Sequence, residues 1–300
     1  MKKHPILTVI IILAIIVILM SAIMTALGGF SGRPSTSPFA SKVGVIPVVG
    51  EISDSTAVLQ HLKTFTRDSS IKAIIVRIDS PGGGVGASQE IYREIMKTRE
   101  TKKVIISLGG VAASGGFYIA SAGDRIVANP GTITGSIGVI MEYVQFSELA
   151  KKIGFSLEVV KSGEFKDIGS PHRELTEKDR EVLKEVIDDI QNQFVNAVAE
   201  GRNLPPEKVR EIADGRVFTG AMAKKWGLVD QLGNFEDAVT LAKELAEIEG
   251  EVNLVYPKSR KVRLLDLLMG EVSEAISRVL SERMERKIEY RWNGFPKGID

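Results

Sequence analysis

Between Pro5 and Gly32 the chain carries no charged side chain, and from Ile6 to Leu27 it is almost wholly Ile, Leu, Val, Ala and Met. As a helix at 1.5 Å per residue this stretch spans roughly 33 Å, enough to cross a bilayer core of about 30 Å. A helix buried in a soluble core is seldom so long without a polar face. The apolar core of a cleavable signal peptide is shorter, about 7–15 residues. Residues 6–27 therefore read as a transmembrane anchor behind a short cytoplasmic N-terminus, 1–5. Lys2 and Lys3 lie just before the stretch. The positive-inside tendency keeps them in the cytoplasm and sends the body to the extracytoplasmic face, as a single-pass membrane protein. Residues 28–42, rich in Gly, Ser, Pro and Thr, read as a flexible tether.

The body is a different kind of sequence. Of the 39 Lys and Arg, three (Lys2, Lys3, Arg33) precede Pro34, whereas all 38 Asp and Glu follow it. The exported part is thus slightly acidic, which argues against a nucleic-acid partner. There is no cysteine, so thiol nucleophiles, zinc thiolate sites, iron–sulfur clusters and disulfides are excluded. His4, His61 and His172 are far apart, and His4 lies before the anchor, so no histidine metal site is expected.

Apolar runs alternate with amphipathic ones along the body. Val43–Val49, Ile71–Ile78, Val104–Leu108, Arg125–Ala128 and Ser156–Val160 read as strands, the second and third apolar enough to be buried on both faces. Helices are expected after Asp54 or Ser55 to Phe65, over Ala87–Thr98, Ser114–Ser121 and Glu148–Ile153, and over Glu177–Glu200 behind a Thr176 cap. Further helices are expected over Pro206–Ala213, Gly220–Lys225 and Phe235–Ile248. Leu183, Val186, Ile187, Ile190, Phe194 and Val198 form an apolar stripe on the longest of them. The alternation predicts an α/β layered fold with a mostly parallel sheet. Residues 251–300, of mixed apolar and charged helical character from Arg263 to Tyr290, read as a C-terminal helical arm or tail.

The densest chemical signal is Gly109-Gly110-Val111-Ala112-Ala113-Ser114-Gly115-Gly116. A strand ends, small residues permit a tight passage, and a serine stands where a helix begins. Free N–H groups at such an end can hold an oxyanion, making Ser114 a nucleophile candidate with the Gly115 amide as donor. The same residue type is equally a helix N-cap. Ala112 also breaks the Gly-x-Ser-x-Gly pattern. A serine needs a base: His172 is one candidate, and a desolvated lysine is another, with Lys166 in the polar loop Gly163–Pro171. Gly82-Gly83-Gly84-Val85-Gly86-Ala87 fits a dinucleotide-type glycine loop. However, the following strand ends without the acidic residue that a ribose requires, and the loop can instead present a Gly83 amide to an oxyanion.

Five stretches in order complete a pattern: Asp79-Ser-Pro-Gly-Gly-Gly84, Ala112-Ala-Ser-Gly-Gly116, Thr132-Ile-Thr-Gly-Ser-Ile-Gly-Val139, Lys161-Ser-Gly-Glu-Phe-Lys166-Asp-Ile and Asp214-Gly-Arg-Val-Phe-Thr-Gly220. Over about Val43 to Leu245 the chain resembles the short, single-copy signal peptide peptidase A family of the ClpP/crotonase superfamily. The resemblance implies a ClpP/crotonase-like fold of repeated strand–strand–helix units over 43–250. It also implies a serine endopeptidase working through a Ser-Lys dyad. Ser114 matches the nucleophile, Lys166 the general base, Gly83 and Gly115 the oxyanion donors, and Ser136 the serine that orients the lysine amine. No cofactor is implied. Substrates would be remnant signal peptides and related membrane-associated peptides. The assembly would be a homo-oligomeric ring or dome, commonly of eight subunits, with sites composed across neighbours. A membrane-bound Ser-Lys protease of the NfeD type, acting on stomatin-type partners, and a non-catalytic crotonase-like membrane scaffold are the alternatives.

Overall fold

Ile71–Ser80 (β2) is built largely from β-branched residues, which pack well on a pleated surface. The computed structural model describes residues 41–257, the backbone of 288–291, and Leu19. In it β2 is a central strand, paired in parallel with Ser41–Val49 (β1) on one side and Lys103–Ala113 (β4) on the other. Side-chain alternation then divides its residues between two cores. Ile74, Val76 and Ile78 enter one cluster and Ala73 and Ile75 the other, all fully buried. The run is apolar throughout because both faces are covered.

The larger cluster packs the sheet against Thr56–Arg67 (α1), Val85–Arg99 (α2), Gly115–Ser121 (α3) and the second half of Glu177–Arg202 (α5), through residues such as Leu62, Ile91, Phe117 and Phe194. The opposite face is covered by Phe235–Leu245 (α8), through Ala238 and Ala242. The sheet runs β10-β1-β2-β4-β5-β9, where β5 is Arg125–Ala128, β9 Gln231–Leu232 and β10 Val252–Val255. Ile133–Gly135 (β6) adds in parallel to the far end of β4, and Val217–Thr219 (β8) pairs antiparallel with β6. A small second sheet places Ile288–Arg291 (β11) between Gly82–Gly84 (β3) and Ile140–Met141 (β7), antiparallel to both.

Helix starts follow the expected chemistry. Thr176 and Asp179 form a reciprocal capping box at α5, and Asn234 and Asp237 form another at α8. At α1 the first-turn amide of Thr56 donates to Asp54 Oδ1 at 2.6 Å, while Ser55, the cap by position, makes no side-chain cap bond. The short helices Ser147–Lys152 (α4), Pro206–Arg210 (α6) and Gly220–Lys225 (α7) lie close to their expected places.

Four differences have physical causes. Strand β4 runs on to Ala113 instead of stopping at Leu108, because β6 supplies a partner beyond the glycines. Ser156–Val160 is not a strand: it is exposed, and no strand among the described residues pairs with it. The first half of the apolar stripe on α5 is only partly covered, with Val186 exposed and Phe194 and Val198 buried. Val252–Val255 and Ile288–Arg291, in the region read as a helical arm, are strands because sheet edges are available to them. Among the described residues no helix is long and apolar enough to cross a membrane. Apart from Leu19, the anchor expected at 6–27 lies outside the described residues, as does most of the tether.

One contact tests the packing of α5 on α3. A Cβ on Gly201 would lie 2.1 Å from the Ser121 carbonyl oxygen. Alanine improves intrinsic helix propensity by about 1 kcal/mol, but overpacking against a fixed backbone costs about 1–3 kcal/mol. Gly201→Ala is expected to lower the urea midpoint of unfolding at unchanged slope, contrary to propensity alone.

Candidate active site

Parallel pairing brings the carboxyl ends of β2 and β4 out at one edge, and the two segments singled out by sequence emerge there. After Ser80 and Pro81 the chain enters β3, which lies against Ile52. Ile52 N–H donates to the Gly82 carbonyl at 2.9 Å, and Gly84 N–H donates to the Ile52 carbonyl at 2.8 Å. A Cβ at Gly83 would lie 2.4 Å from the Ile52 oxygen, so glycine is required by backbone approach.

The turn from β4 into α3 carries Ser114. Its backbone is left-handed, φ 53° and ψ −118°, and its side chain is buried, with no hydrogen-bond partner for Oγ among the described residues. The capping alternative is not realised: Ser114 makes no side-chain cap bond. A buried hydroxyl left unpaired costs about 1–3 kcal/mol, and a strained non-glycine φ costs a similar amount. Two such costs at one residue mark a position held for chemistry rather than stability. The turn is held from both sides. Ser114 N–H donates to the Gly135 carbonyl at 2.8 Å, and the Ser114 carbonyl accepts from Tyr118 N–H at 2.8 Å. The Ser114 amide is thus occupied, and Gly115 supplies the next amide, at the first position of α3. Gly116 seats this helix on the end of β2: a Cβ there would lie 3.0 Å from the Ser80 carbonyl oxygen.

A family model described as peptidase family S49 matches residues 96–249. The chain belongs to peptidase family S49. A Clp protease model also matches residues 38–132. A candidate protease of Synechocystis is 48% identical over 72% of this chain and 78% of its own length. A candidate signal peptide peptidase of Enterococcus faecium is 39% identical over 66% of this chain and 58% of its own. The chloroplastic serine protease SPPA of Arabidopsis thaliana is 36% identical over 78% of this chain, which spans 35% of that longer protein. The resemblance to signal peptide peptidases read from the motifs is borne out, and the S49 chain is a serine peptidase.

Within one S49 chain the candidate residues are only partly assembled. Ser136 is buried and left-handed (φ 50°), and it follows directly on Gly135, whose carbonyl receives the Ser114 amide. Ser114 and Ser136 are therefore joined through one strand register. Lys166 is not joined to them. It is exposed, on a turn closed by its N–H to the Gly163 carbonyl at 3.2 Å, and no hydrogen bond links it to Ser114 Oγ. His172 is exposed and His61 half-buried, and neither bonds the serine.

Two supports escaped the sequence reading. The first holds the strand that delivers Ser114. Thr132 Oγ1 donates to the Gly109 carbonyl and Thr134 Oγ1 to the Ala112 carbonyl, both at 2.7 Å. From the other side Asp79 Oδ1 accepts the Val111 N–H at 3.0 Å. The two-residue spacing of Thr132 and Thr134, which puts both on one face of a strand, was the available signal. The second support holds the Lys166 turn. Asp167 accepts from Lys161 Nζ at 2.7 Å and from Arg173 Nη2 at 2.8 Å, and Arg173 also grips Asp179 at the start of α5. No periodic pattern marks such a bridge.

The Arg173 guanidinium holds both the Asp167 and Asp179 carboxyls well below the ordinary carboxylate range, helped by Lys161 at Asp167 and by Thr176 at Asp179. Carboxyls depressed in the folded state stabilise it above their unfolded value, and the contribution is lost as pH falls towards the folded one. Acidification from pH 6 through about 4 and below is expected to lower the melting temperature and speed proteolytic nicking of residues 161–173. Asp179→Asn should flatten both profiles.

Proposed function

We propose that the S49 chain is a membrane-anchored signal peptide peptidase in which Ser114 is the nucleophile and Lys166, from a neighbouring subunit, is the general base. Ser114 carries it: its Oγ is buried, without a partner among the described residues, on a strained turn at the start of a helix. Lys166 Nζ takes the proton from Ser114 Oγ as Oγ attacks the scissile carbonyl. The Gly83 and Gly115 amides receive the oxyanion. The C–N bond breaks, the proton passes from Nζ to the leaving amine, and water hydrolyses the resulting ester. Ser136 orients the lysine amine.

A lysine serves as base only when neutral, and desolvation is what favours the neutral amine. Covering the exposed Lys166 turn by a second subunit would supply it. The same part of the chain leaves Phe146, Leu149, Ile153, Phe155 and Leu157 exposed, with Val160 almost fully so. So many large apolar side chains exposed within one segment support an interface there. A homo-oligomeric ring of about eight ClpP/crotonase-like subunits, as in the family resembled, would bury it. Residues 6–27 would anchor each subunit in the bilayer and hold the body on the extracytoplasmic side, where remnant signal peptides and related membrane peptides would be the substrates.

Full-length protein in detergent is expected to cut a synthetic signal peptide, whereas Ser114→Ala and Lys166→Ala should each lose at least about 10³-fold in kcat while remaining assembled. Co-assembling the two inactive variants should restore part of the activity, since some sites then combine an intact serine with an intact lysine. Retained activity in either single variant rules out its role. Failure of the mixture to recover argues for a dyad within one chain.

A further inference from the structure

The register of β4 against β2 is broken just before the nucleophile. Ile78 pairs with Leu108, but Ser80 pairs with Ala112, so two extra residues are inserted into β4 opposite Asp79. Gly109 and Gly110 begin that insertion. A bulge of this kind displaces backbone amides from the ladder, and a displaced amide needs another acceptor. At Val111 the acceptor is the Asp79 carboxylate, Oδ1 to N at 3.0 Å. The carboxylate also fills the bulge. A Cβ on Gly109 would lie 2.7 Å from Asp79 Cγ and 2.8 Å from Oδ2, and one on Gly110 would lie 3.6 Å from Oδ1. Asp79 is tied at its other end as well, its carbonyl accepting the Gly50 N–H at 3.0 Å.

We propose that Asp79 is a positioning residue, whose carboxylate holds the β4 bulge and so fixes where Ser114 stands relative to the Gly83 amide. This rests on Ser114 being the nucleophile. Asp79 lies four residues before Gly83, and through Val111 it grips the other segment three residues before Ser114. One side chain therefore couples the loop that would receive the oxyanion to the strand that delivers the attacking oxygen. Thr132 and Thr134 fasten the same stretch of β4 by its carbonyls from the β6 side. Asp79 supplies the matching acceptor from the β2 side, for the Val111 amide. A reaction that needs Oγ and the oxyanion donors in register loses about 100-fold when they are misplaced by about 1 Å.

The test uses the assembled full-length protein in detergent, with a fluorophosphonate as the serine-directed probe, a synthetic signal peptide as substrate and deuterium uptake over residues 109–113. Asp79→Ala is expected to raise uptake at Val111. It should slow labelling of Ser114 and lower kcat by about 100-fold, with KM little changed. Asp79→Asn keeps an acceptor oxygen and should recover most of that loss. In Asp79→Ala/Gly109→Ala a methyl refills the bulge without an acceptor, so melting temperature should recover while the labelling rate should not. This double variant also decides the matter should Asp79→Ala alone fail to fold.

Wild-type labelling rates in Asp79→Ala, or recovery of rate in the double variant, would overturn the inference, the second by reducing Asp79 to a space-filler. Unchanged Val111 uptake in Asp79→Ala would overturn it too. Labelling of the wild type at a residue other than Ser114 is a distinct result: it sinks the nucleophile assignment itself and with it this role for Asp79.

Discussion

Parallel pairing of Ile71–Ile78 with the first half of β4 is the constraint on which the rest of the molecule depends. Both strands are buried on both faces, so neither can slip by one residue without turning its side chains from one core to the other. Because they run in the same direction, their carboxyl ends open at one edge. The glycine strand that follows β2 and the serine turn that follows β4 become neighbours there, though about thirty residues separate them in sequence. Open parallel sheets hold ligands at this edge for the same reason.

What distinguishes this edge is that its backbone is held away from regular geometry. The bulge in β4, the left-handed Ser114 and the left-handed Ser136 follow one another along a path from β4 across to β6. Each is stabilised by bonds from neighbouring strands: Gly135 to the Ser114 amide, Arg216 to the Ser136 amide, and two threonine hydroxyls to the β4 carbonyls. Strain persists only where the surroundings over-determine it. The well-packed sheet therefore offsets the cost of a hydroxyl with no partner among the described residues, at the position proposed for the nucleophile.

The other half of the proposed chemistry stands apart. Lys166 sits on a turn whose tether to α5, through Asp167, Arg173 and Asp179, is polar and electrostatic rather than packed. The residues before it leave large apolar side chains exposed, from Phe146 to Val160. A catalytic group carried on such a surface fits a site completed by association, with the energy of covering apolar surface coupled to the desolvation of the base.

Local chemistry was enough to determine much of this protein from sequence. Periodicity and caps located the long helices and β-branched runs the central strands, while five ordered motifs, through the family they resemble, suggested Gly83, Ser114, Gly115, Ser136 and Lys166 as the set now proposed. Those features depend on residues close together in the chain, or on a pattern repeated through it. The failures were all non-local. Ser156–Val160 has strand composition but no partner among the described residues, while Val252–Val255 is a strand because β1 offers an edge. That Ser114 is left-handed with an unpaired hydroxyl, rather than a helix cap, depends on hydrogen bonds from residues 132–135. The role of Asp79 depends on a two-residue mismatch between strands that each look regular alone. Register is set by how two buried faces fit together, and only the tertiary structure decides it.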